Sequence, residues 1–279
     1  MMPPAQSHLA WSPRRGGSPI SSEREPFLSL VVPAYNEEGR LPESLRRIAS
    51  YLGEQPYDWE VVVSDDGSED GTAAVVESFA ARDPRFRLLR LAHRGKAAAV
   101  RGGVMASRAK LSFICDADLS MPIEEVGKFL PFFAEGYDIA IGSREAPGAR
   151  RYHEPYYRHL MGRVFNRIVR FLTIGGFQDT QCGFKCFKAD VARDLFERSH
   201  LYCDDSQPIQ GPLVTGFDVE LLFLAVRSGY RVAEVPIDWY YAKGSKVRPV
   251  RDTFAMLGDV LRVRFNNLRG KYNGRPGQH

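Results

Sequence analysis

Four short strand-like segments, separated by helix-periodic ones, constrain this 279-residue chain more than any other feature. The four are Phe27–Val32, Trp59–Val63, Phe86–Leu91 and Leu111–Cys115. Between them the spacing predicts helices over Pro42–Leu52, Thr72–Ala81 and Lys96–Ser107. In the first, Leu45, Ile48, Ala49 and Leu52 recur at helical spacing. Asp70 precedes the second, where a carboxylate can cap exposed N–H groups. The third is rich in alanine and weakened by Gly102 and Gly103. This alternation predicts an α/β fold, a mostly parallel sheet flanked by helices and joined by right-handed crossovers. Ligands of such sheets lie beyond the carboxyl ends of the strands. The loops there hold Tyr35, Glu37, Asp65, Asp66, Lys96, Asp116 and Asp118.

The run Leu111–Cys115 ends in Asp116-Ala117-Asp118. In an extended segment, residues i and i+2 face the same way. Two hard oxygen ligands on one side suit Mg²⁺ or Mn²⁺, with a diphosphate completing the coordination. A lone Asp-x-Asp also closes ordinary solvated strand ends, so its meaning depends on its surroundings. Asp65, at another strand end, is acceptor-only when ionised and suits the imide N–H of a uracil. Asp66, Ser68, Asp70 and Glu77 have calcium-loop spacing, but the preceding Trp59–Val63 is strand-like where a calcium hand needs a helix. Gly95-Lys96 lacks the rest of a P-loop, and no G-x-G-x-x-G fingerprint is present.

The second half is less regular. Helices are predicted over Pro122–Phe133, Tyr156–Leu172, Ala189–Arg198, Phe217–Ser228 and Val250–Leu268, with strands at Tyr137–Ile141 and Arg231–Pro236. Arg144 follows Gly142-Ser143, and Arg163 lies among the arginines of the 156–172 segment. Both fit a phosphate site, and both fit a solvated face. With no repeat and no linker, the expected organisation is a disordered tail at 1–25, one domain at 26–270 and a flexible end at 271–279.

Hydrophobic (44%) and charged (26%) fractions are those of a globular protein. The net charge of +4, without a recognisable reading module, argues against a nucleic-acid partner. From Lys243 to Lys271 only Asp252 and Asp259 are acidic, which makes a basic end suited to phosphates or an anionic membrane surface. Four cysteines without scaffold or zinc spacing suggest reduced thiols in a cytoplasmic protein. No run of about 18 apolar residues is present, so membrane contact is expected to be peripheral.

The order of segments resembles the family 2 glycosyltransferases, with their nucleotide-diphospho-sugar transferase fold. The matching residues are Val31-Val32-Pro33-Ala34-Tyr35-Asn36-Glu37, Asp65-Asp66-Gly67-Ser68, Gly95-Lys96, Asp116-Ala117-Asp118 and Gly142-Ser143-Arg144. Three further stretches make the chain similar to the dolichyl-phosphate β-glucosyltransferases and their polyprenyl-phosphate relatives. These are Asp179-Thr180-Gln181-Cys182-Gly183-Phe184-Lys185, Phe217-Asp218-Val219-Glu220 and Gly244-Ser245-Lys246-Val247. The resemblance implies inverting, metal-dependent transfer of a hexose from a nucleotide sugar, UDP-glucose foremost, to a lipid phosphate. It implies that Pro33, Tyr35 and Glu37 line the nucleotide, that Asp65 reads the uracil and that Lys96 sits near the base or ribose. Asp116 would approach the ribose or diphosphate, and Asp118, with Asp116, would hold Mg²⁺ or Mn²⁺. Arg144 and Arg163 would meet the acceptor phosphate, and Asp218 would be the acid–base carboxylate. A soluble phosphorylated or hydroxyl acceptor, or a nucleotide-sugar-binding module without turnover, are the competing expectations.

Overall fold

A computed structural model describes residues 25–156, 159, 162–163, 166–169, 175–201, 216–241 and 249–273, with the backbone alone over 249–254. Residues 1–24 of the expected 1–25 tail, residues 202–215 and the Gly244–Val247 stretch lie outside the described residues. So does part of the 156–172 helix.

In chain order the elements are β1 (Leu28–Ala34), α1 (Leu41–Gly53), β2 (Trp59–Asp65), α2 (Thr72–Ala80), β3 (Phe86–Arg90), α3 (Lys96–Ala106) and β4 (Leu111–Ile114). A 3₁₀ turn over Ile123–Lys128, α4 (Leu130–Ala134), β5 (Ile139–Ser143), β6 (Arg150–Tyr152) and β7 (Lys185–Lys188) follow. The chain continues through α5 (Ala189–Arg198), α6 (Phe217–Arg227), β8 (Val232–Pro236), β9 (Asp238–Tyr240) and α7 (Pro249–Leu268).

Seven strands form one sheet in the order β3-β2-β1-β4-β7-β5-β8. All pairings are parallel except those of β7, which runs against β4 and β5. The central strands are buried on both faces. Leu28, Leu30 and Val32 of β1 pack with Leu41, Leu45, Ile48 and Leu52 of α1. Val31, pointing the other way, packs with Ala97, Val100 and Val104 of α3. Each such side chain stabilises the fold by about 1.5–3 kcal/mol as an upper estimate.

The two glycines of α3 are a packing device. A Cβ on Gly103 would strike Val31 Cγ1 and Ser64 Oγ, and one on Gly102 would lie 2.8 Å from Leu91 Cδ1. The helix gives up propensity so that its backbone can sit against β1 and β2.

One expected helix needs correction, and two elements carry no sequence signal. The single helix over Pro122–Phe133 is a 3₁₀ turn followed by α4. Pro131 lacks an N–H and crowds the carbonyl four residues back, which ends the first piece. β7 is a strand with no sequence signal of its own: four residues with lysine at each end show no apolar run. The short β6–β9 pair, Arg150–Tyr152 against Asp238–Tyr240, was likewise not predicted. The chain remains packed beyond residue 270, with Tyr272 buried and its hydroxyl donating to Glu220 Oε1 at 2.7 Å. Among the described residues no helix is long and apolar enough to cross a membrane.

The reversed direction of β7 decides which of its ends faces the ligand side of the sheet. Its first residue, Lys185, pairs with Ile114 and with Ile141, the carboxyl-end neighbours in β4 and β5. The segment 179–185 is thereby delivered to the same sheet edge as Asp116 and Arg144.

Candidate active site

The β1–α1 and β2–α2 loops are latched together. Asn36 takes a left-handed backbone (φ +51°), which asparagine tolerates better than most residues. Its N–H donates to Ser68 Oγ at 2.9 Å, and its Oδ1 accepts the Glu69 N–H at 2.9 Å. The Glu37 N–H donates to Thr72 Oγ1 at 2.8 Å, and the Glu37 carboxylate pairs with Arg40. Pro33 is buried within β1, opposite Ser64. Tyr35 is half-buried at the strand's end.

The two adjacent aspartates do different work. Asp66 is buried, and its carboxylate accepts the N–H groups of Arg94 (2.9 Å) and Gly95 (2.8 Å) and meets His93 Nδ1 at 2.8 Å. His93 Nδ1 also lies 3.0 Å from the Asp66 carbonyl; with two acceptors facing it, it is the protonated nitrogen. Asp66 thus shapes the 93–95 loop, in which Gly95 has φ +94°. Asp65 is also buried, and its Oδ1 accepts the Ser68 N–H at 3.1 Å. The held His93 ring stacks on Tyr35, 3.9 Å between centroids and 4° between planes. Sequence reasoning missed His93; its place in a strand-end loop was the only available signal.

Beside this aromatic pair lies a cluster of alternating charge. Lys96, at the start of α3, places Nζ 2.5 Å from Asp116 Oδ1. Its side chain is 41% exposed, and what desolvation the amine suffers is outweighed by the charges of Asp116, Asp218 and Asp118, which push the Lys96 pKa up to about 12. Asp218, in the first turn of α6, accepts from Lys185 Nζ at 2.7 Å. Lys185 is itself buried and also donates to the Cys182 carbonyl. Its burial explains how a lysine begins a central strand: its charge is matched inside the site rather than in solvent.

The geometry of the Asp116–Asp118 pair differs from a strand pleat. β4 ends at Ile114, and residues 115–118 turn. Asp116 packs inward so closely that a Cβ on Gly183 would lie 2.9 Å from its Cγ and nearer still to its Oδ2. Asp118 is exposed, and its Oδ1 accepts the Ser120 N–H at 2.9 Å. Next to Asp118, Leu119 is buried in a left-handed conformation (φ +45°), a backbone strain of about 1–2 kcal/mol that its burial helps to offset.

Arg144 and Arg163 are differently placed. Arg144 donates from Nε (2.7 Å) and Nη2 (3.0 Å) to the two oxygens of Asp179, which also accepts the Arg144 N–H. Asp179 is wholly buried, and Trp239 lies 5.6 Å from the guanidinium. Any phosphate arriving here meets an arginine already fixed by a bidentate pair. Arg163 is exposed, on helical residues 162–163, and among the described residues no contact joins it to the Lys96–Asp116–Asp218 cluster.

Among the described residues no three His, Cys, Asp or Glu side chains converge as a metal cage. Asp118 and Asp116 nonetheless fit a hard cation that takes part of its coordination from a diphosphate, because both offer carboxylate oxygens and Asp118 is open to solvent. Together the features make an acidic and lysine-balanced sheet edge, bordered by a stacked aromatic pair and an arginine.

Residues 29–196 match the family model described as Glycosyl transferase family 2. A Dolichyl-phosphate beta-glucosyltransferase of Dictyostelium discoideum is 33% identical over 258 residues, covering 88% of this chain and 76% of that protein. The Homo sapiens protein of the same name is 33% identical over 264 residues, covering 88% and 77%. Among solved structures, mannosyl-3-phosphoglycerate synthase from Rubrobacter xylanophilus aligns with a TM-score of 0.60 at 17% identity, covering 88% of this chain and 76% of that one. Glucosyl-3-phosphoglycerate synthase from Mycobacterium tuberculosis, in complex with Mn²⁺, UDP-glucose and phosphoglyceric acid, aligns with a TM-score of 0.54 at 17% identity, covering 90% and 82%. Those likenesses establish the nucleotide-sugar transferase fold. The family-model match and the identity to curated relatives over most of their length go further: the chain belongs to glycosyl transferase family 2.

Proposed function

We propose that this chain transfers glucose from UDP-glucose to a polyprenyl or dolichyl phosphate with inversion at the anomeric carbon. The observation that carries the reading is the meeting of Asp116, Lys96, Asp218 and Lys185 at one sheet edge, beside the Tyr35–His93 stack. The likeness in sequence to proteins named for glucosyl transfer to dolichyl phosphate supports the acceptor. The complex of a fold relative with Mn²⁺ and UDP-glucose supports the donor and the metal.

In this reading Tyr35, Pro33, Glu37 and Asp65 border the nucleoside. Asp118 and Asp116 hold Mg²⁺ or Mn²⁺, which when bound neutralises charge on the departing diphosphate. Lys96 keeps its proton across the physiological range and adds a fixed positive charge beside Asp116. An acceptor phosphate oxygen bonds to the anomeric carbon while the bond to the UDP oxygen breaks, so UDP leaves with the electron pair. A phosphomonoester has a second pKa of about 6 and is largely dianionic at neutral pH. No general base is then needed, and Asp218 acts through Lys185, holding its cation where the acceptor phosphate arrives. Arg144, held by Asp179, and Arg163 attract the acceptor phosphate. The enzyme works at the cytoplasmic face of a membrane, where its lipid substrate is anchored.

The test is incubation with a panel of nucleotide sugars and a short polyprenyl phosphate, with and without Mg²⁺ or Mn²⁺. Glucosyl lipid is expected from UDP-glucose only when metal is present. Equal product after chelation would overturn the metal assignment, and preference for another donor would overturn the sugar assignment.

A further inference from the structure

α7 carries an apolar stripe that nothing in the described fold covers. Leu261, Phe265 and Leu268 are 53%, 51% and 81% exposed. Their spacing of four and then three residues stacks them on one helix face. The opposite face is satisfied, because Val260 and Val263 are fully buried in the cluster that contains α6.

Exposed arginines border the stripe. On a helical projection Arg264 falls on one side and Arg262 and Arg269 on the other, and all three are exposed. The Arg269 guanidinium lies 3.9 Å over the Phe265 ring. Over residues 255–273 the one carboxylate is Asp259. It is buried, accepting the Gly216 N–H at 2.9 Å and a hydrogen bond from Arg262 at 3.3 Å. The exposed face is thus apolar along its middle and cationic along both edges. A second copy docked face to face on it would set arginines against arginines, with no carboxylate from α7 to receive them.

α7 is also tied to the site. Gln181 Nε2 lies 3.7 Å from Met256 Sδ, and Asp259 holds the residue just before α6, two positions from Asp218. A surface that seats the outer face of α7 therefore fixes the cleft at a set place relative to that surface.

We propose that the Leu261–Phe265–Leu268 face docks α7 on an anionic bilayer, the apolar side chains entering the interface and Arg262, Arg264 and Arg269 resting among the headgroups. This rests on the lipid-phosphate reading for its purpose but not for its test. The full chain is floated with phosphatidylcholine vesicles with and without phosphatidylglycerol, alongside two triple variants. One is Leu261→Gln, Phe265→Gln, Leu268→Gln, and the other is Arg262→Gln, Arg264→Gln, Arg269→Gln.

Wild type is expected to bind the phosphatidylglycerol vesicles and to weaken with salt. The apolar variant should lose about tenfold or more in partitioning. The arginine variant should lose about fivefold per residue on anionic vesicles and nothing on neutral ones. Both should keep wild-type turnover with a short, water-soluble prenyl phosphate. Absence of wild-type binding, unaltered binding by both variants, or a dimer that both variants dissolve would overturn the proposal. If the variants lose vesicle binding but wild type transfers no sugar to the short acceptor, docking stands and the transferase reading falls.

Discussion

Gly183→Ala is a small substitution with a large expected effect on turnover. The added Cβ would lie 2.9 Å from Asp116 Cγ and 3.3 Å from Oδ1, with Oδ2 closer than either. An ordinary contact between such atoms is about 3.5 Å, so the carboxylate must move by roughly 1 Å. Asp116 is only partly buried, with its side chain 27% exposed, and can rotate toward solvent. The stability loss should therefore be at the low end of overpacking, about 1–2 kcal/mol. Rotation takes Oδ1 away from Lys96 and turns one of the two expected metal ligands out of place. A misplacement of this size costs on the order of 100-fold in rate. The assay pairs a urea melt with kcat/KM for glucosyl transfer to a short polyprenyl phosphate. A urea melt lowered by no more than about 1–2 kcal/mol, with turnover down about 100-fold, is the expected outcome. Turnover close to wild type would refute the claim that Asp116 is held in its working position by the absence of a side chain at residue 183.

Asp118→Asn should abolish transfer without lowering the melting midpoint, since Asp118 is exposed; wild-type turnover at saturating Mn²⁺ would remove it from the metal site. Asp218→Asn should leave a measurable remnant with a phosphate acceptor, and complete loss would give Asp218 a larger share of the chemistry. Lys185→Met removes the cation from Asp218 and the donor from the Cys182 carbonyl, at a cost of about 2–3 kcal/mol in urea denaturation; adding Asp218→Asn should recover part of it, and simple additivity would show that the pair is not coupled. Burial would raise the Asp179 carboxyl, but the charge and hydrogen bonds of Arg144 hold it at about 2, below its ordinary 3.8. A depressed carboxylate stabilises the fold above its unfolded pKa and loses that contribution as the pH falls through the folded one. The gap is worth about 2.5 kcal/mol, of which about 1 kcal/mol should be gone by about pH 3. Urea curves for wild type and Asp179→Asn should converge by that amount between about pH 6 and about pH 3, and parallel curves would contradict the pairing.

The parallel half of the sheet could be read from the sequence because each strand there is a short apolar run and each crossover a periodic helix. Those two periods are local, and so the sheet edge holding Tyr35, Asp65, Lys96 and Asp116 followed from topology. β7 could not be read in this way. Its four residues begin with Lys185, whose burial makes sense only once Asp218 stands opposite it. Lys96 pairs with Asp116, a contact that joins residues twenty positions apart and leaves no local trace in the sequence. His93 had no signature of its own and gains its place from Asp66 and Tyr35 together. Gly102 and Gly103 read as helix weakness, because what they approach lies on other strands. Interactions distant in the chain decided each of these cases.

The central claim is that the sugar goes to a lipid phosphate and not to a soluble one. One competition measures it: labelled UDP-glucose and Mn²⁺ are given to the full chain with a short polyprenyl phosphate and 3-phosphoglycerate in the same tube, and the products are partitioned between solvent and water. Label in the lipid phase, as an inverted glucosyl phosphate, is the predicted result. Label in a glucosyl phosphoglycerate, with the lipid phase empty, would contradict it.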